Sequence, residues 1–103
     1  VFSLSAMAEV SVAGAVDGAG IAGQIDRLLV DETKVIVVDF KTGARPSVTP
    51  ADYHRQMALY AALLEQIYPD RKVVTWLVWT EDRSVEEIDR AARDAALAAL
   101  APG

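Results

Sequence analysis

Two aspartates and a lysine, Asp26, Asp39 and Lys41, sit in two short, mostly apolar stretches, Gly23-Gln24-Ile25-Asp26-Arg27-Leu28 and Val38-Asp39-Phe40-Lys41-Thr42. Carboxylates that converge repel one another unless a proton or a cation neutralises them. Oxygen donors alone suit the hard ions Mg²⁺ and Mn²⁺ better than zinc. A lysine beside such a pair can orient or deprotonate an attacking water, while the cation offsets charge developing on a phosphate oxygen and acidifies bound water. The three groups together are equipped for metal-assisted hydrolysis of a phosphodiester.

Positioning them requires two adjacent strands. Side chains alternate along a strand, so Asp39 and Lys41 share a face while Phe40 points away. Between the apolar stretches lies Asp31-Glu32-Thr33-Lys34, a tight-turn sequence, so a strand over 21–30 can pair antiparallel with one over 35–41 and bring both aspartates together. The nearly continuous Val35-Ile36-Val37-Val38 run predicts a central strand buried on both faces. An acid closing such a run is costly without a partner, which favours a metal site at Asp39 over a mute surface charge.

The remaining elements read as a scaffold. Residues 9–16 alternate weakly and end at Asp17-Gly18-Ala19-Gly20, a glycine-rich turn closing a first hairpin. After a loop over Gly43-Ala44-Arg45-Pro46, Thr49 is placed to cap a helix with Pro50 at its first position and Asp52 at its third. That helix runs to about Tyr68. Tyr53, Met57, Tyr60, Leu64 and Ile67 form its inward stripe, and Pro69 stops it. Gln56 and Tyr60 lie on neighbouring turns of one face. A strand over 73–80 carries Trp76 and Trp79. Ser84-Val85-Glu86-Glu87 could open a helix through a capping box, but a brief edge strand over 84–88 followed by an alanine-rich helix over 89–100 is preferred. The expected fold class is α/β of the α+β type: a central mixed sheet of four to five strands flanked by helices, one domain over 1–103.

Composition narrows the function classes. A chain of 103 residues has a modest core and no room for a motor or a second module. It contains no cysteine, which excludes disulfides and thiolate zinc sites and fits a cytoplasmic location. No apolar run is long enough to span a bilayer, and Val1-Phe2-Ser3-Leu4-Ser5 lacks the charged start of a signal peptide. The absent initial Met reads as a piece of a longer polypeptide. A net charge of −5 argues against a stand-alone module that grips nucleic acid by charge. Metal-binding acids contribute part of that charge, an attached domain could hold the DNA, and Arg27, Lys41, Arg45, His54 and Arg55 flank the proposed site in sequence.

Each residue also has a plainer reading. Asp26 and Arg27 could be a surface ion pair of little energetic value. Gln56 and Tyr60 are ordinarily a polar helix residue and a core aromatic. His54 reads as solvated and Glu9 as a solvent-facing strand residue. The tryptophans read as core or partner-facing surface, because stacking platforms for bases need a basic context that they lack.

Taken together, the Gly-x-x-Asp, Asp-x-Lys and Gln56-Met57-Ala58-Leu59-Tyr60 segments resemble RecB-like nucleases of the PD-(D/E)XK superfamily. The layout is most similar to the C-terminal nuclease domains of AddA-type helicase-nucleases, over nearly the whole chain. The resemblance implies a restriction-endonuclease-like core lacking its first helix, with Asp26, Asp39 and the Phe40 carbonyl holding Mg²⁺ or Mn²⁺. It implies that Lys41 handles the nucleophilic water and that Gln56 and Tyr60 organise the site or contact DNA. Family members usually carry a further acidic or histidine ligand on a helix before the first strand. Without it, the segment would be weak or inactive by itself. The implied activity is a DNA exonuclease acting in double-strand break repair by recombination. The implied partners are double-stranded DNA ends and single strands, helicase domains of the same chain that carry the ATP site, and an AddB-like second nuclease subunit, with no membrane. A catalytically silent DNA-end-binding or subunit-docking module of the same fold is the alternative, and an unrelated acidic protein-binding domain is a third.

Overall fold

The structure, a computed structural model, describes residues 5–100. Apart from Ser5, the N-terminal segment read for a signal peptide lies outside the described residues. Five strands form one sheet in the order β1 (Ser5–Val16), β2 (Ala19–Val30), β3 (Lys34–Lys41), β4 (Lys72–Trp79), β5 (Ser84–Glu87). Helix α1 (Ala51–Ile67) connects β3 to β4, and α2 (Arg90–Leu100) follows β5. The first three strands are an antiparallel meander, β3 and β4 are parallel, and β5 returns antiparallel. A parallel pair cannot be joined by a tight turn, so the α1 crossover is what the β3–β4 pairing requires. This is the mixed α+β sheet expected, with β3 in its centre.

Burial follows the pattern of the sequence. Val35, Ile36, Val37 and Val38 are all buried, and the odd-numbered members face the helices. Ile25 and Leu28 of β2, Met57, Leu63 and Leu64 of α1, Leu77 of β4 and Ile88 complete the core under α1. The turn before β3 is set by Asp31, whose Oδ1 accepts the amides of Thr33 at 2.8 Å and Lys34 at 2.7 Å. These two bonds hold its carboxyl below the usual carboxylate range.

Several local expectations are corrected. β1 begins four residues earlier than its alternation suggested, and β5 ends at Glu87. Pro50, not Thr49, is the N-cap of α1 and makes no side-chain cap. The Thr49 hydroxyl instead donates to both carboxylate oxygens of Glu86 at 2.6 Å. Arg45 Nε lies 3.5 Å from that carboxylate, and the Arg45 amide donates to Asp82 at 3.0 Å. A strand-β5 acid that can accept a charge-assisted bond outcompetes a local cap, and the loop leading from β3 into α1 is thereby strapped to β5. The inward stripe of α1 ends at Leu64, since Ile67 is exposed. His54 is half-buried rather than solvated, with Nε2 enclosed and unpartnered. Trp79 belongs to the core, whereas Trp76 is half-buried on the opposite face.

Candidate active site

The β2–β3 ladder runs from Val30–Val35 to Arg27–Val38 and stops there. The next pair in the same register is Asp26 and Asp39, so the two strands part where the two acids face each other. The Phe40 amide, which a continued ladder would have given to a β2 carbonyl, donates to Asp26 Oδ2 at 2.9 Å. Strand geometry sends the carbonyl of a residue to the same edge as its amide, so the Phe40 carbonyl shares that gap.

A second break lies one strand further out. Ile25 and Leu28 are both buried in the core, although period-two alternation puts odd and even positions on opposite faces. The β1–β2 ladder passes from Ala8–Arg27 to Val10–Ile25 with Glu9 and Asp26 unpaired, and Glu9 adopts φ 55°. A non-glycine residue in that region costs on the order of 1–3 kcal/mol and persists where the surroundings over-determine it. The change of phase between Ile25 and Leu28 coincides with this break, where Asp26 of β2 has no ladder partner in β1 or β3.

Asp39 is 5% exposed. Its Oδ2 forms an ion pair with Lys41 Nζ at 2.6 Å and has no other partner. Burial pushes the Asp39 carboxyl above the usual carboxylate range, Lys41 pulls it down, and neighbouring Asp26 pushes it up again. The Lys41 ammonium also donates to Gln56 Oε1 at 3.1 Å and lies 3.9 Å from the centre of the Tyr53 ring. Gln56 Nε2 reaches Tyr60 Oη at 3.4 Å, and that hydroxyl donates to the Gln24 carbonyl at 3.2 Å. Asp39, Lys41, Gln56 and Tyr60 thus form one chain of contacts from β3 through α1 to the β2 backbone, and Asp26 stands beside it on the Phe40 amide.

A buried carboxylate oxygen partnered only by Lys41, beside a second carboxylate in a gap between strands, fits a divalent cation bound through oxygen. Among the described residues no three His, Cys, Asp or Glu side chains are grouped so as to hold a metal ion by themselves. Two carboxylates and a carbonyl are compatible with Mg²⁺, which retains several waters and rarely has an all-protein shell.

A model of the PD-(D/E)XK nuclease superfamily matches residues 3–101. The chain belongs to this superfamily. In two strains of Streptococcus thermophilus, the A subunit of an ATP-dependent helicase/nuclease is 32% identical over 71 residues, covering 67% of this chain. The chain spans only 6% of the length of those curated relatives. The crystal structure of SSO0001 superposes with a TM-score of 0.55 over 90% of this chain and 48% of that one, at 20% identity, which is a likeness of fold. The mixed five-strand sheet with its crossover helix is consistent with the PD-(D/E)XK fold.

Tyr53 joins the site, although its sequence context assigns it to the core stripe. Its ring covers Lys41 on one side and meets Trp79 at 5.9 Å on the other. The available signal was its spacing: three residues before Gln56, on the same helical face. Gly23 has a structural reason that its motif alone does not disclose. A Cβ there would lie 2.7 Å from Tyr60 Cε1 and Oη, so only glycine lets α1 approach β2 this closely. Gly23→Ala is expected to cost about 1–3 kcal/mol by overpacking. It should also lower turnover by displacing Tyr60 from Gln24, which urea denaturation and nuclease assays on the variant would read.

Proposed function

We propose that this PD-(D/E)XK chain is the nuclease module of a bacterial helicase-nuclease, a divalent-cation-dependent DNA exonuclease serving double-strand break repair by recombination. The observation that supports it best is the convergence of Asp26, Asp39 and Lys41 on one gap, with a buried Asp39 oxygen partnered only by Lys41. Asp26, Asp39 and the Phe40 carbonyl would hold Mg²⁺ or Mn²⁺. Such a cation supplies positive charge at the scissile phosphate and acidifies water.

The chain's own residues do the rest. Asp39 and Gln56 hold the Lys41 ammonium between them beside the gap, where its third hydrogen can orient water or be handed over. Tyr53 screens that ammonium from one side. Tyr60 holds Gln56 and ties α1 to β2. With a net charge of −5, most of the grip on DNA would come from partner surfaces: helicase domains of the same polypeptide, where ATP is bound, and an AddB-like second nuclease subunit, in the cytoplasm. No helix among the described residues is long and apolar enough to cross a membrane.

The decisive measurement uses the intact parent polypeptide with end-labelled linear DNA and a covalently closed circle, each with Mg²⁺, Mn²⁺ or chelator. Metal-dependent release of nucleotides from the linear substrate alone is the expected result. Retained end binding with no cleavage under any metal would support the silent module instead.

A further inference from the structure

Three groups touch the Lys41 ammonium: the Asp39 carboxylate at 2.6 Å, Gln56 Oε1 at 3.1 Å, and the face of the Tyr53 ring, whose centre lies 3.9 Å away. With a cation bound at the two acids, Lys41 shares Asp39 with a second positive charge and is repelled from the gap. Its charge rides on a flexible four-carbon stem, and a single bond to Gln56 lets that stem swing. An aromatic face is no ligand for a hard cation, so its hold on the ammonium survives metal binding.

The ring is braced for this task. Lys41 stands in register with Trp79 across the parallel β3–β4 pair. Trp79 is only 4% exposed and meets the Tyr53 ring at 5.9 Å, with the two planes tilted by 46°. One strand pair therefore carries both the ammonium and the indole that backs the ring. The Lys41 side chain is 17% exposed, and cation–π attraction strengthens as water is excluded.

We infer that Tyr53 is a positioning residue for the hydrolytic step: its π face, backed by Trp79, keeps the Lys41 ammonium at the gap against the repulsion of a bound cation. The inference rests on the nuclease reading and deepens it. A plain packing role at the margin of the core would need only bulk at this position. The positioning role needs electron density on the ring face, whereas the hydroxyl is dispensable to it.

The test uses the intact parent polypeptide with Tyr53 replaced by phenylalanine, by phenylalanine bearing one, two or three ring fluorines, and by leucine. Fluorine drains the ring face of electron density while scarcely changing its size, so it weakens a cation–π contact and leaves packing in place. Two quantities are read: kcat on linear DNA in Mg²⁺, and the rate at which an amine-acylating reagent labels Lys41, followed by mass spectrometry in Mg²⁺ and in chelator. Tyr53→Phe should match the wild type within about twofold in both. Along the fluorinated series kcat should fall and labelling rise stepwise, each reaching about tenfold in Tyr53→Leu, with KM for DNA unchanged. The labelling difference should be larger in Mg²⁺ than in chelator. In a Lys41→Met background, Tyr53→Leu should cost no further turnover. A flat fluorinated series, a Tyr53→Leu chain as active as Tyr53→Phe, or an undiminished Tyr53→Leu effect without Lys41 would each overturn the inference. A parent polypeptide that cleaves no DNA in any metal would instead overturn the nuclease reading, and the labelling series would then decide by itself whether the ring holds the ammonium.

Discussion

Asp39→Asn should abolish DNA cleavage and, in the same protein, raise the melting temperature of the metal-free chain at neutral pH. Both effects come from one feature, a carboxylate buried beside Asp26 with Lys41 the only partner of one oxygen. Its pKa in the folded chain is raised, chiefly by burial, above the value of about 3.9 that it has when unfolded. Between those two values the folded chain binds more protons than the unfolded one. Stability therefore falls as pH rises through that window, and the cost persists above it. Asparagine does not titrate, so the variant loses this pH step and keeps the stability that the wild type has only in acid. Thermal melts from pH 3 to 8 with chelator, wild type against variant, measure it. A divalent cation should stabilise the wild type by about 2.7 kcal/mol at a hundred times its dissociation constant and leave the variant nearly unmoved. Cleavage should drop roughly a thousandfold, since a metal centre supplies several kcal/mol of charge stabilisation, and about 4 kcal/mol is three factors of ten. A variant that melted lower than the wild type at neutral pH would mean that Asp39 is a structural partner of Lys41.

The legible parts of this fold were those governed by short-range rules. Period-two alternation put Asp39 and Lys41 on one face, and the uninterrupted Val35–Val38 run marked the central strand. The Asp31 turn needed only an acceptor two and three residues before free amides. The break at Glu9 and Asp26 was not legible in this way. Ile25 and Leu28 signal a change of phase, but a regular-strand reading has no place for it, and which partner strand yields depends on pairing across the sheet. Thr49 looked like a cap because capping is local, whereas its actual acceptor, Glu86, is 37 residues away. Tyr53 was hidden for a related reason: aromatic stripes on helices usually bury, and only the nearness of Lys41 across the β3–α1 loop gives this ring a cation to cover. In each case the missing information was long-range pairing, and two of the three departures, at Asp26 and at Tyr53, lie in or against the candidate site. Functional sites are where such conflicts collect, because a regular sheet would have paired Asp26 away.

Lys41→Met should separate chemistry from metal binding. Its side chain is only 17% exposed, and its removal leaves the Asp39 carboxylate without its neighbouring cation. Breaking a buried pair by deleting one partner costs about 3–5 kcal/mol, and the partial exposure of Lys41 places this case at the lower end. The metal-free variant should therefore melt well below the wild type, the opposite sign to Asp39→Asn, where the surviving ammonium still has Gln56 and the Tyr53 ring. Mg²⁺ or Mn²⁺ should recover much of that loss, because the cation takes over the neutralisation of Asp39 and Asp26. Cleavage should not recover with it: losing a positioned proton-handling group lowers turnover by about 10²–10⁴-fold, at saturating metal as at limiting metal. Melting curves and turnover measured across one metal titration decide the matter. Metal-rescued stability with turnover still depressed assigns Lys41 to the reaction itself. If turnover and stability returned together, Lys41 would be no more than a counter-ion for the two acids.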